Sequence, residues 1–153
     1  MAIIKTHITT SDPTPAQIAD WMAYASISDD TQTTLYLHCL KAALVAVGDW
    51  ENVSLLAGTV RVNATQREDN TPVALYGTVD AVTSVTSGGT DLAYTAADGF
   101  VSPVSFTESV SVTYTTKVNE GDLLRHIVKA WRYATALYDG EDSTALASIL
   151  TSR

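Results

Sequence analysis

Apolar residues along the chain change their spacing twice, and the changes mark out the elements. Thr14-Pro15-Ala16-Gln17 offers a hydroxyl at the N-cap, a proline at the first helical position and a glutamine at N3. That combination predicts a helix opened by a capping box. Ile18, Met22 and Ala25 follow at i, i+4 and i+7, giving one apolar stripe before a break at Ser26 to Asp30. A second helix is expected to begin at Ser28 or Asp29, whose side chains can accept its orphan amides, and to run to about Val47. Tyr36, Leu40, Ala43, Leu44 and Val47 share a face of it, and Gly48 is expected to close it in the left-handed conformation.

Between Gly58 and Thr116 the period drops to two: Val60 and Val62, then Val79, Ala81, Thr83 and Val85, then Val110, Val112 and Tyr114. Valine and threonine dominate, as suits a pleated, half-buried surface. Gly88-Gly89 and Asp98-Gly99 read as hairpin turns. The helical period then returns, with Asn119 as cap, Asp122 in the first turn and Leu123, Leu124, Ile127, Trp131, Ala134 and Tyr138 on one side, closing at Gly140. Arg125, Lys129 and Arg132 fall together on the opposite side. After Gly140 a tail carries Leu146, Ile149 and Leu150 at helical spacing but is too short to fold stably alone.

These elements predict an α+β fold: an N-terminal helix pair, a central antiparallel β-hairpin and sheet region, a C-terminal helix and a short tail. A chain of 153 residues with 46% hydrophobic content suits one domain over residues 1–140, with residues 141–153 as a docking tail. Nine basic against seventeen acidic residues give a net charge of −8, which disfavours wrapping a polyanion. The lone Cys39 excludes an internal disulfide, and the N-terminus shows no basic segment followed by an apolar run, so synthesis in a reducing cytoplasm is expected. No apolar run approaches the ~20 residues that cross a bilayer, so no membrane is expected as a partner.

Several stretches, taken together, resemble the head-tail connector (adaptor, head-completion) family of long-tailed phages and phage-like particles. They are Ser28-Asp29-Asp30, the hairpin approach from Val79 to Thr86, the strand Val112-Thr113-Tyr114-Thr115, and the run from Leu123 to Tyr133. The likeness spans roughly Pro13 to Tyr138; Trp131 stands where the family pattern has a smaller residue, and residues 51–71 have no counterpart in it. The resemblance implies a virion-neck subunit, in a ring that is twelve-fold in the family, between the portal protein and a stopper or tail protein. Double-stranded DNA would pass through without specific binding, and a net negative conduit would not grip it. Another neck or tail-completion protein, or a small-ligand-binding or enzymatic α+β domain, are the alternatives.

The residues themselves favour a structural role over catalysis. His38 and Cys39 are adjacent on a helix and point about 100° apart, so they do not make a nucleophile-base pair. His7 and His126 lack metal-site spacing, and Asp29-Asp30 lacks the alternating ligands and closing glutamate of a cation loop. No catalytic residue, cofactor or metal site is expected. Gly88-Gly89 lacks the Lys-Ser/Thr element of a phosphate loop and is a candidate contact at a hairpin tip. Arg125, Lys129 and Arg132 are either a solvated face or a contact with an acidic neighbour, and Leu146, Ile149 and Leu150 are expected to insert against a partner, the portal first. Trp131 and Tyr138 are read as core residues of the last helix.

Overall fold

A computed structural model of the chain describes residues 2–65, 72–103 and 109–152. Two compact units emerge, one from Ser11–Leu56 and Val118–Arg153 and the other from Met1–Thr10 and Ala57–Lys117. Where one domain is expected over residues 1–140, there are thus two hydrophobic cores, one helical and one built on strands.

In the helical unit, α1 (Pro15–Tyr24) carries the predicted capping box: Gln17 N donates to Thr14 Oγ1 at 3.1 Å and Thr14 N donates to Gln17 Oε1 at 2.8 Å. Ile18, Met22 and Ala25 do pack on the core, but its centre is Trp21, fully buried and absent from the predicted stripe. Trp21 meets Tyr36 and Tyr138 edge-on, with ring centroids 6.3 and 6.4 Å away, and its Nε1 donates to Thr135 Oγ1 at 3.1 Å.

Helix α2 (Thr33–Glu51) corrects both expected ends. It does not start at Ser28 or Asp29, because Asp29 Oδ1 accepts from Thr31 N at 2.9 Å and holds a local turn instead. At the far end the helix continues past Val47, and Asn52 takes the left-handed conformation at φ 56° and ψ 44°. Gly48 is buried inside the helix, where a Cβ would lie 2.7 Å from the Val53 carbonyl oxygen. Close backbone approach, rather than a helix stop, is why glycine fits there.

Helix α3 (Glu120–Tyr138) begins as predicted, with Asn119 Oδ1 accepting from Asp122 N at 3.2 Å. It ends in a Schellman arrangement: Glu141 N donates to Ala136 O at 2.9 Å and Gly140 N to Leu137 O at 3.1 Å. Leu123, Ile127 and Tyr138 lie against the core around buried Ala130 and Ala134. Leu124 does not: it is turned about 100° from Leu123 and is 74% exposed. The tail also departs from expectation, for Ser143–Thr151 forms helix α4, capped by Asp142 accepting from Ala145 N at 3.0 Å. A nine-residue helix is marginal alone, and packing of Leu150 on the core supplies the missing stabilisation.

In the other unit, β1 (Ala2–Thr10), β2 (Gly58–Thr65), β8 (Ser109–Thr116), β4 (Val79–Ser87) and β5 (Thr90–Asp91) form one antiparallel sheet in the order β1-β2-β8-β4-β5. A smaller sheet takes the order β3 (Val73–Ala74), β7 (Phe100–Pro103), β6 (Tyr94–Ala97). Strand β8 alternates as predicted, burying Val110, Val112, Tyr114 and Thr116. The Tyr114 hydroxyl donates to Tyr76 O at 2.8 Å and accepts from Tyr76 N at 2.9 Å, so its polar tip is satisfied inside the core. Strand β4 breaks the predicted alternation. Register shifts between Val79 and Ala81 and between Val82 and Ser84 leave Ala81 and Thr83 exposed and bring Val82 to the core. Strand β1 carries no prediction from the sequence.

Candidate partner-binding surfaces

The Gly88-Gly89 tip joins β4 to β5 as predicted, with Ser87 paired to Thr90 and Thr86 to Asp91. Both glycines have positive φ, 58° and 82°, which suits a tight hairpin turn, and both are exposed. Apart from its chain neighbours, no heavy atom of the described residues lies within 4 Å of where a side chain would begin at either glycine. The tip is therefore available for contact and has no side chain to give it chemistry.

On α3 the three basic residues part company. Arg125 is 72% exposed in its side chain, with Asp122 Oδ1 at 3.9 Å. Lys129 points inward instead: its Nζ lies 2.7 Å from Glu51 Oε1 and donates to Leu150 O at 3.0 Å, with 13% of the side chain exposed. The hydrogen bond from Lys129 holds the Glu51 carboxyl below its usual value of 4.5, against the opposing pull of burial. Arg132 is exposed and donates from Nη1 to Ser152 Oγ at 3.0 Å. Of the predicted basic stripe, then, Arg125 and Arg132 remain on the surface, while Lys129 clamps α4 and the end of α2 to α3.

The tail residues divide in the same way. Leu150 packs on the helical core. Ile149 helps line a depression of about 440 Å³ with Tyr24, Arg132, Ala136 and Ala145, and Leu146 is half-buried. An apolar triplet expected to have no duty inside the chain therefore spends Leu150 on its own fold.

Trp131 is half-buried and stacks on Tyr24 at 5.3 Å with planes tilted by 35°. Sequence reasoning passed over the surface that adjoins this pair. Val128, three residues before Trp131, is 50% exposed, and Leu124, four before Val128, is 74% exposed, so an apolar ridge runs along α3. A signal was present: both apolar residues lie off the core line that Leu123, Ile127, Ala130 and Ala134 define at helical spacing.

Cys39 is buried, and burial pushes its thiol up, away from the reactive thiolate; His38 beside it is exposed. Among the described residues no group of three or more His, Cys, Asp or Glu could hold a metal ion, and no helix is long and apolar enough to cross a membrane.

No family model matches this chain, and no curated protein matches it. A solved structure does: a chain described as "Neck of empty GTA particle computed with C6 symmetry" superposes with a TM-score of 0.62 at 15% sequence identity. The match covers 97% of this chain and 93% of that one, so the strand-bearing and helical units both have counterparts in it, and at this identity what the two chains share is the fold.

Proposed function

We propose that the chain is a structural subunit of the neck of a tailed phage or gene-transfer-agent-like particle, acting as a head-tail connector in a ring between the portal and a stopper or tail protein. The observation that carries this reading is the fold shared over 97% of the chain with a protein of a GTA particle neck. The buried Cys39 thiol fits a non-enzymatic role. The six-fold symmetry stated for that neck is compatible with a ring of twelve, which is a multiple of six. With a net charge of −8, such a ring lets double-stranded DNA slide through without holding it.

Helix α4 is the portal-facing element in this reading, through Leu146 and Ile149, and Arg125 and Arg132 meet acidic surface on a neighbour. The Gly88-Gly89 tip is a second contact, toward the next ring. Deleting residues 142–153 would strip Leu150 from the helical core as well as removing the contact, so Leu146→Glu is the cleaner test. Purified chain is mixed with portal-bearing heads that lack it, and co-sedimentation is measured. The wild type is expected to bind and Leu146→Glu to bind at least tenfold more weakly with an unchanged circular dichroism spectrum, about 1.4 kcal/mol of lost contact. Failure of the wild type to bind such heads overturns the connector reading.

A further inference from the structure

The larger sheet of the strand-bearing unit has two long strands at its margins. Strand β1, nine residues, pairs with β2 on one side and with no strand of the described residues on the other. Strand β4, also nine residues, pairs with β8 on one side, whereas on its far side β5 meets only Thr86 and Ser87, and Leu92 N donates to Val85 O. Residues 79–84 therefore have no strand of the described residues on that far side. A recess of about 520 Å³ lies beside residues 79–82, walled opposite by residues 96–100. Exposed edges are normally shortened or blocked with proline or charge. Strand β1 is long, has no proline and exposes Ile4 and Ile8, at 61% and 43%. An edge of that kind is suited to take another strand.

Direction and charge single out which strand. The order β1-β2-β8-β4 is antiparallel at every step, so β1 and β4 run in opposite directions. When copies are related by rotation about an axis along the strands, β4 of one copy arrives antiparallel to β1 of the next, the more stable pairing. Arg61 stands opposite Thr6 in the β1–β2 ladder, on the face away from buried Val60 and Val62, and Asp80 is exposed on β4. Neither side chain has a partner among the described residues. Across a β4–β1 seam their backbones are two strand spacings apart, roughly 9–10 Å, which an arginine and an aspartate reaching toward each other can bridge. Register shifts after His7 in β1 and twice in β4 keep either edge from accepting an arbitrary flat strand.

We infer that β1 of one copy adds to the open edge of β4 in an adjacent copy, with Arg61 of the first paired to Asp80 of the second. The occupant of each edge is thus a second copy of this chain. The two edges differ, so the contact is head-to-tail and closes into a ring if the rotation per copy allows it. Pairing of β1 with a second β1 about a two-fold axis would leave Asp80 unmet and stop at a dimer. The inference rests on the reading of the chain as a ring subunit and names the seam that joins one subunit to the next. Backbone hydrogen bonds supply the affinity, and the arginine-aspartate pair fixes register more than it adds to it.

A charge swap tests the seam. Both positions are exposed, so Arg61→Asp, Asp80→Arg and the chain carrying both changes should fold, as circular dichroism will verify. Sedimentation velocity is run from about 10 µM to about 1 mM, a range that reveals even millimolar association. The wild type is expected to form species larger than a dimer. Each single change, which sets like charges across the seam, is expected to weaken association about tenfold, and the double change to restore it to within about threefold, because the pair is re-made in reverse. Hydrogen exchange followed by mass spectrometry is expected to slow in residues 2–10 and 79–84 of the wild type at the high concentration. The seam is overturned if the wild type is monomeric throughout or stops at a dimer, if either single variant associates as the wild type does, or if the double variant fails to recover. Association that leaves exchange at either edge unchanged overturns it as well. The neck reading is scored separately: wild-type chain that binds portal-bearing heads but fails these measurements sinks the seam alone, and chain that associates through these edges but never binds such heads sinks the neck reading.

Discussion

The two units reach a packed interior by different routes. The helical unit concentrates its interior in a few large groups, Trp21, Tyr36 and Tyr138 in mutual ring contact and Leu40, Leu44 and Leu55 around them. The strand-bearing unit spreads it over many small ones: Val60, Val62, Val73, Val85, Val101, Val110 and Val112, with Tyr114 as its one buried aromatic among the described residues. An interior built from three rings has single points of failure, whereas one built from valines loses a little at each position. The chain's three tryptophans, Trp21, Trp50 and Trp131, all belong to the helical unit, so tryptophan fluorescence reports on that unit alone while far-ultraviolet circular dichroism reports on both.

The largest effect is expected from Trp21→Ala. It removes two edge-on ring contacts and leaves the Thr135 hydroxyl without its donor, costing about 3–5 kcal/mol. Urea titration followed by fluorescence should show the helical unit melting far earlier, and a midpoint within error of the wild type would contradict the concentrated core. Val112→Ala in the centre of β8 is expected to cost about 2 kcal/mol, two methylene equivalents and a small cavity. A loss there as large as that of Trp21→Ala would erase the contrast between the units.

The smallest effect concerns the Glu51–Lys129 clamp. Because the Glu51 carboxyl titrates below 4.5 when folded, its contribution is present above pH 4.5 and is lost as the pH falls through the lower folded value. Both side chains are partly exposed, at 27% and 13%, so solvent screening keeps the contribution to roughly 1 kcal/mol. Glu51→Gln should lower the melting temperature at pH 7 by a few degrees, with the gap to the wild type narrowing progressively as the pH is taken below 4.5, as differential scanning calorimetry can check. A gap that does not narrow with falling pH would show that the pair acts by packing and not by charge.

What the sequence makes legible is what is decided within a few residues. Thr14 with Gln17, Asn119 with Asp122, and the closing bonds around Gly140 are contacts three to five positions apart, and each appears as predicted. The Gly88-Gly89 turn belongs to the same class, since positive φ at two successive positions selects glycine locally. Long-range partners decide the rest. Trp21 becomes the core centre only because Tyr36, Thr135 and Tyr138 converge on it from other helices. The displaced start of α2 has a local cause, the Asp29–Thr31 turn, but it competes with an equally plausible cap, and sequence alone does not rank the two. The bulges in β4 depend on pairing with β8, and nothing in Val79–Ser87 marks them.

The candidate contacts follow the same division. Arg125 and the glycine tip stand exposed where helical and hairpin periodicity put them. Helical spacing puts Lys129 on the face opposite the core and leaves Leu150 for a partner, and both turn inward because Glu51 and the docking of α4 are tertiary facts. The Leu124–Val128 ridge sits between these cases, written in the sequence as two apolar residues on the wrong side of an amphipathic helix.

The central claim is that this chain belongs to the head-tail junction of a particle. Its most direct test is immunogold electron microscopy of particles from the producing strain, with antibody raised against the purified chain. Gold confined to the junction between head and tail is the expected result. Gold on heads or tail tips, or particles that carry none of the chain, would contradict the account.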